Sequence, residues 1–197
     1  MKPQYLYVFT VMSMMLLLAS NSYAQSQESY IVTNRNDTLK CAIKRPLLFD
    51  DFGNGYKYRL TKKDSYKPLI ADSIKAYYFA EDSITYFAEV LPGNKKPRFV
   101  TRLEHGKINV YQDKAQSSGR NTLNTWYASK LEGPLLEIKT EGLTIGASGN
   151  NRDDRKKNLS DLLADNPSLA EQFARKNDFG FKAIREAIQQ YNVGVKQ

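Results

Sequence analysis

The amino-acid sequence predicts a mainly β protein with a helical carboxy-terminal segment: an α+β chain in which an antiparallel β-meander or partly closed barrel of about eight strands precedes two or three short helices. Three observations predict it. From Ser29 to about Lys139 the dominant period is two. Over the same stretch β-branched and aromatic residues are enriched, with turn residues about every eight to twelve positions. Gly146-Ala147-Ser148-Gly149-Asn150-Asn151 then breaks the pattern, and the period beyond it is helical. The organisation expected is a signal peptide over 1–24, an antiparallel β domain over 25–145, and a linker with a helical segment over 146–197 packed on that domain.

Lys2 gives a positive start, and Tyr5 to Ala19 form an apolar run of about 15 residues, short of the roughly 18–20 that span a bilayer. Ser22-Tyr23-Ala24 supplies the small residues a signal peptidase reads, so cleavage is expected between Ala24 and Gln25. The only cysteine, Cys41, is far from this run, which argues against a lipoprotein anchor. The chain is expected to pass the inner membrane and to work in the periplasm, outside the cell or peripherally on the outer membrane, with no transmembrane segment after signal removal.

The first strands are Tyr30 to Thr33 and Thr38 to Lys44, joined by Asn34-Arg35-Asn36-Asp37, whose residues tolerate left-handed backbone. Leu39, Cys41 and Ile43 alternate and are expected on one strand face, with Cys41 a small buried hydrophobe. Arg45-Pro46 ends that strand, because proline lacks the ladder donor. Tyr56 to Thr61 follows Gly53-Asn54-Gly55. Asp72-Ser73-Ile74 before Tyr77-Tyr78-Phe79-Ala80 is echoed by Asp82-Ser83-Ile84 before Tyr86-Phe87-Ala88, which predicts a hairpin turning at Ala80 to Asp82. Arg98 to Glu104 and Lys107 to Gln112 pair about His105-Gly106, a turn whose glycine is free to take positive φ. Thr125 to Lys130 and Leu135 to Lys139 pair across Glu132-Gly133-Pro134, bringing the count to eight or nine strands.

Leu159, Leu162 and Leu163 mark the first helix. Asn166-Pro167 caps a second, carrying Leu169, Ala170 and Phe173. Asp178 starts a third, with Phe181, Ile184, Ile188 and Tyr191 on one face and Asn192 to Gly194 at its end.

The hairpin Tyr30 to Lys40, the strand Gly106-Lys107-Ile108-Asn109-Val110-Tyr111, and the end from Leu162-Leu163-Ala164-Asp165-Asn166-Pro167 to Ile188-Gln189-Gln190-Tyr191-Asn192 together resemble a group of uncharacterised secreted β-rich proteins of Bacteroidota. The resemblance implies a bacterial envelope protein with a β body and a helical tail. It rests on turn and core residues, so it speaks for a fold and carries over no active-site residue. It also implies O-glycan acceptors at Asp, then Ser or Thr, then an apolar residue: Thr38, Ser73 and Ser83 fit that tripeptide.

Composition narrows the function classes. One cysteine makes no intramolecular disulfide, so the exported body relies on its core. The formal charge of +8 is spread thinly along the sequence, with no long basic block, which favours an anionic envelope surface over nucleic acid. Neither a cofactor fingerprint nor metal-ligand spacing is present, and Asp50-Asp51 and Asp153-Asp154 lack the spaced oxygens of a calcium loop. His105 reads as a turn residue, and Ser148 resembles a nucleophile elbow only superficially. With 13 Tyr, 9 Phe and one Trp, the aromatics are the best binding candidates, and Trp126 with Tyr127 is singled out because neighbours on a strand face opposite ways. The reading reached is a non-catalytic envelope binding or assembly module for a protein, glycan or lipid. A hydrolase using paired carboxylates drawn from Glu89, Glu104, Glu132 and Glu137 is the alternative, followed by a structural subunit.

Overall fold

Eight strands form one antiparallel sheet, and three more form a small second sheet. They are β1 (Tyr30–Thr33), β2 (Thr38–Lys40), β3 (Ala42–Lys44), β4 (Lys57–Arg59), β5 (Lys67–Pro68), β6 (Ile74–Phe79), β7 (Ile84–Glu89), β8 (Arg98–Glu104), β9 (Ile108–Gln116), β10 (Thr122–Lys130) and β11 (Leu136–Glu141). Helices α1 (Arg152–Leu163), α2 (Pro167–Lys176) and α3 (Phe181–Gly194) follow. This computed structural model describes residues 28–46, 54–116, 122–131, 133–141, 151–176 and 178–194. The signal-peptide segment with Ala24 and Gln25, the pair Asp50-Asp51, Glu132 and Ser148 lie outside the described residues.

The large sheet is a meander from β6 to β11, extended beside β6 by β1 and then β2. It does not close on itself: β2 and β11 are its two ends. The mainly β architecture with three carboxy-terminal helices is the one the periodicity predicts. The first hairpin turns on Asn36 in the left-handed region (φ 65°), and the Asp72/Asp82 echo becomes β6 and β7, turning at Ser83 (φ 55°).

One expected strand is two. Thr38 to Lys44 pairs with β1 as far as Cys41, whose N–H reaches the Ser29 carbonyl at 3.0 Å, and then leaves to pair with β4 in the small sheet. The crossing splits the expected Leu39-Cys41-Ile43 face: Ile43 and half-buried Cys41 pack into the core, while Leu39 is 37% exposed. β5 escapes periodicity because it has two residues, one of them proline. Tyr56 to Thr61 shortens to β4, with Tyr56 buried just before it.

The face shared by Tyr77, Tyr86, Thr101, Gln112 and Trp126, register partners in turn across β6 to β10, carries two separate cores. At one end the small sheet and Tyr56 cover Ile31, Tyr77, Phe79, Tyr86 and Phe99. This core is aromatic: Tyr56 lies 5.3 Å from Phe79 edge-on, and Tyr77 stacks on Tyr86 at 4.8 Å. At the other end the helices bury Leu159, Leu162, Leu163, Leu169, Ile184, Ile188 and Tyr191 against Ile108, Val110, Trp126, Ala128 and Ile138.

Helix starts follow local chemistry. Asn151 Oδ1 accepts from Asp153 and Asp154 N–H at 2.8 Å each, so this acid pair sits in the first turn of α1, where the helix dipole favours it. Asn166 caps α2 through Leu169 N–H at 3.2 Å. Asp178 accepts from Gly180 N–H at 2.8 Å, so α3 begins at Phe181, just after the expected start.

Candidate functional site

Between the two covers the sheet face stays open, as a cleft of about 630 Å³. Ile84 and Tyr86 of β7, Thr101 and Leu103 of β8, and Gln112 of β9 line it, with Arg45, Asp82 and Lys114 also at its walls. Alternation puts Ile84, Tyr86, Thr101 and Gln112 on the face that carries both cores, with Ile84 and Tyr86 at the edge of the aromatic core and Leu103 at the edge of the helical one; Thr85, Phe87 and Arg102 also line the cleft. The lining is mixed. Thr101 Oγ1 donates to the Gln112 carbonyl at 3.3 Å, and the Gln112 amide donates to Asn124 at 2.9 Å. Asp82, the one carboxylate among the described lining residues, is held by Arg45, whose guanidinium also lies 5.4 Å from the Phe79 ring centre.

The opposite face carries a second polar cluster. Arg102 lies over Phe87 at 4.3 Å and beside Glu89 and Tyr111. Burial pushes the Glu89 carboxyl above its ordinary range, against the Tyr111 hydroxyl and Arg102. Burial also drives Tyr111 and Tyr127 up to about 12, so both stay protonated across the physiological range. Arg98 and the buried Asp113 pair at 3.3 Å.

Trp126 is the inward member of its pair: it is 6% exposed and packs on Phe181 with ring centres 4.4 Å apart. Tyr127 faces the other way, half-buried with Leu91, Val100 and Tyr111. The two rings therefore lie on opposite faces of the sheet, one inside, as expected of strand neighbours. Thr38, Ser73 and Ser83 are all exposed, at the start of β2, just before β6 and in the β6–β7 turn, and Ser83 also lines the cleft. His105 is exposed in its turn with Nδ1 2.8 Å from Asn109 Oδ1.

The described carboxylates of the hydrolase alternative, Glu89, Glu104 and Glu137, have separate partners. Glu104 accepts from Arg185 and Gln189 of α3, and Glu137 accepts from Arg155 of α1 at 3.0 Å and from Thr140 at 2.6 Å. Glu89 is the register partner of Arg98, at the far end of β8 from Glu104, which puts those two roughly 20 Å apart at strand rise. Glu137 is four strands from β7, roughly 19 Å at the usual spacing. Both separations exceed the roughly 9.5 Å limit for a carboxylate pair. Among the described residues no group of three His, Cys, Asp or Glu is placed to hold a metal, and no helix is long and apolar enough to cross a membrane.

The charge distribution is what sequence reading missed. The small sheet gathers Lys44, Lys57, Arg59 and Lys67 with Lys62 and Lys63 of its β4–β5 turn, cations scattered through the sequence between aromatic and turn residues. Strand pairing is the signal that unites them: Lys44 and Lys57 are direct register partners.

No protein-family model, curated protein or solved structure matches the chain.

Proposed function

We propose that the chain is an exported, non-catalytic protein of the bacterial envelope that works as a binding module and takes its ligand in the cleft between the two covers. The open cleft is the observation that supports this reading: packing fills the sheet face at both ends, and the gap between offers hydroxyl and amide groups beside Tyr86, Ile84 and Leu103. Its one described carboxylate is neutralised by Arg45, an arrangement suited to holding a ligand and poor for two-acid hydrolysis.

Trp126 makes the test direct. It is the sole tryptophan and the register partner of Gln112 on the cleft floor. Titrating the chain from Gln25 with envelope glycans, lipids and peptides is expected to give a saturable change in Trp126 fluorescence for one class, weakened by Gln112→Ala. Failure of every class to move the signal overturns the proposal.

A further inference from the structure

We propose that the outward face of the small sheet docks on an anionic lipid surface. The inference is independent of the cleft. Ile43 and Tyr58, register partners, turn inward to the aromatic core, so the flanking Lys44, Lys57 and Arg59 turn outward. Tyr66 lies among them, with the Arg59 guanidinium 4.7 Å and the Lys44 ammonium 5.9 Å from its ring centre. Lys62 and Lys63 of the β4–β5 turn are exposed, as is Lys67, the register partner of Tyr58 on β5.

These charges are balanced within the small sheet only in part, by Asp64, whose carboxylate Lys67 and Arg59 attract weakly. Lys44 and Lys57 stand directly opposite on paired strands, a like-charge arrangement that is destabilising unless something else compensates it. None of these cations forms an ion pair with a described residue, whereas the helical half pairs Lys130, Arg155, Lys157, Arg175, Lys182 and Arg185 with acids. Asp64, the one acid among the described residues of the small sheet and its β4–β5 turn, accepts from Thr61 N–H at 2.8 Å, the contact that most lowers its pKa. Counting Asp50 and Asp51 as well, residues 42–70 carry seven cations against three acids, and of the seven Arg45 is paired with Asp82.

Apolar exposure selects the partner. Leu60, next in the chain to Arg59, and Ile70, three residues after Lys67, are each 48% exposed. A soluble polyanion would leave them in water. A bilayer interface accepts all three parts at once: cations at anionic headgroups, Tyr66 at the boundary and the two aliphatic side chains below it.

Co-sedimentation of the chain from Gln25 with phosphatidylcholine vesicles, with and without phosphatidylglycerol, tests this. Binding is expected only to the mixed vesicles and is lost at high salt. Lys62→Glu with Lys63→Glu, both exposed turn positions, is expected to lower the partition coefficient by at least about fivefold for each charge. Lys176→Glu with Lys182→Glu makes the same change in net charge on the helical half and is expected to leave partition nearly unchanged. Leu60→Ser with Ile70→Ser is expected to weaken vesicle binding but not retention on heparin. The proposal is overturned by absence of vesicle binding, by equal losses from the two lysine pairs, or by indifference to the Leu60 and Ile70 changes, the last assigning the face to a soluble polyanion.

Discussion

One sheet carries two covers, fastened by the same device and finished differently outside. The helical cover is held by Asn192, whose amide donates to the Ile108 carbonyl and accepts from the Ile108 N–H, both at 2.9 Å. The small-sheet cover is held by Asn54, which makes the same two bonds to Phe99 at 3.4 and 3.1 Å. In each, a side-chain amide stands in for a neighbouring strand and satisfies backbone groups the ladder leaves free. Beyond that point they diverge. The helical cover adds Arg185 on Glu104, Arg155 on Glu137, and Asp165 between Lys130 and Tyr191, so several of its charges tie it to the sheet or to itself. The small sheet leaves its cations facing solvent. A surface that spends its charges internally is built to stay closed; one that leaves them unpaired is built to meet something else.

The largest effect is expected in the aromatic core. Tyr56 is buried and within 6.2 Å of the rings of Tyr77, Phe79 and Tyr86. Tyr56→Ala is expected to cost about 3–5 kcal/mol in urea unfolding, as large aromatic truncations do. Tyr56→Phe keeps the ring and should lose far less. Were Tyr56→Ala to cost under about 1 kcal/mol, well below that range, the small sheet would be an appendage and not a true cover.

Next come the asparagine fasteners. Asn192→Ala strands two buried backbone groups of Ile108 and is expected to cost about 2–4 kcal/mol, with Asn54→Ala, whose bonds are longer, at about half that. Gly106 sharpens the point. It does not take the positive φ anticipated for its turn; its backbone is closely approached by Asn192, and an added Cβ would lie 2.5 Å from Asn192 Cγ. Gly106→Ala should therefore be damaging alone and nearly neutral in the Asn192→Ala background, a non-additivity measurable by a double-mutant cycle.

A smaller, pH-dependent effect is expected at Asp165. Hydrogen bonds from Lys130 and then Tyr191 hold its carboxyl below its ordinary 3.8. A depressed carboxyl contributes stability that is complete above its unfolded value and fades as pH falls through the folded one. Because Asp165 is largely exposed, Asp165→Asn should cost under about 1 kcal/mol at neutral pH, and the difference from the parent should shrink as pH falls below 3.8. Persistence of the difference in acid would mean that packing of Tyr191, and not charge, holds this end of the helical cover.

Much of this was legible in the sequence. Period and turn residues marked β6 to β11, because each is long enough to alternate and is bounded by glycine, asparagine or aspartate. The caps at Asn166 and Asp178 were visible because capping is local. What stayed hidden depends on tertiary placement. The strand from Thr38 to Lys44 divides because two partners compete for it, and nothing in its alternation records that. The cleft is bounded by what the covers fail to reach, so Thr101 and Gln112 carry no local mark. Motif residues Gly106, Ile108 and Asn192 were all singled out, yet their meeting across 84 positions between Ile108 and Asn192 is a property of the fold.

The smallest effect on stability at neutral pH is expected at Cys41, where the chain passes from one sheet to the other. Burial raises its thiol from 9.0 to about 11, so at pH 8 the thiolate, the reactive form, is scarce. Reaction with an aromatic disulfide reagent should be slower than in the urea-unfolded chain by roughly two orders of magnitude, the ratio that two pKa units impose. A raised acid stabilises the protonated folded state, so stability should be flat below about pH 9 and decline as pH climbs from 9.0 towards 11. Cys41→Ala removes that decline while leaving the crossing intact, since the bond to the Ser29 carbonyl is made by backbone N–H. Rapid thiol labelling in the native state would instead show that the small sheet lifts away from the aromatic core, opening at the crossing while the helical cover stays closed.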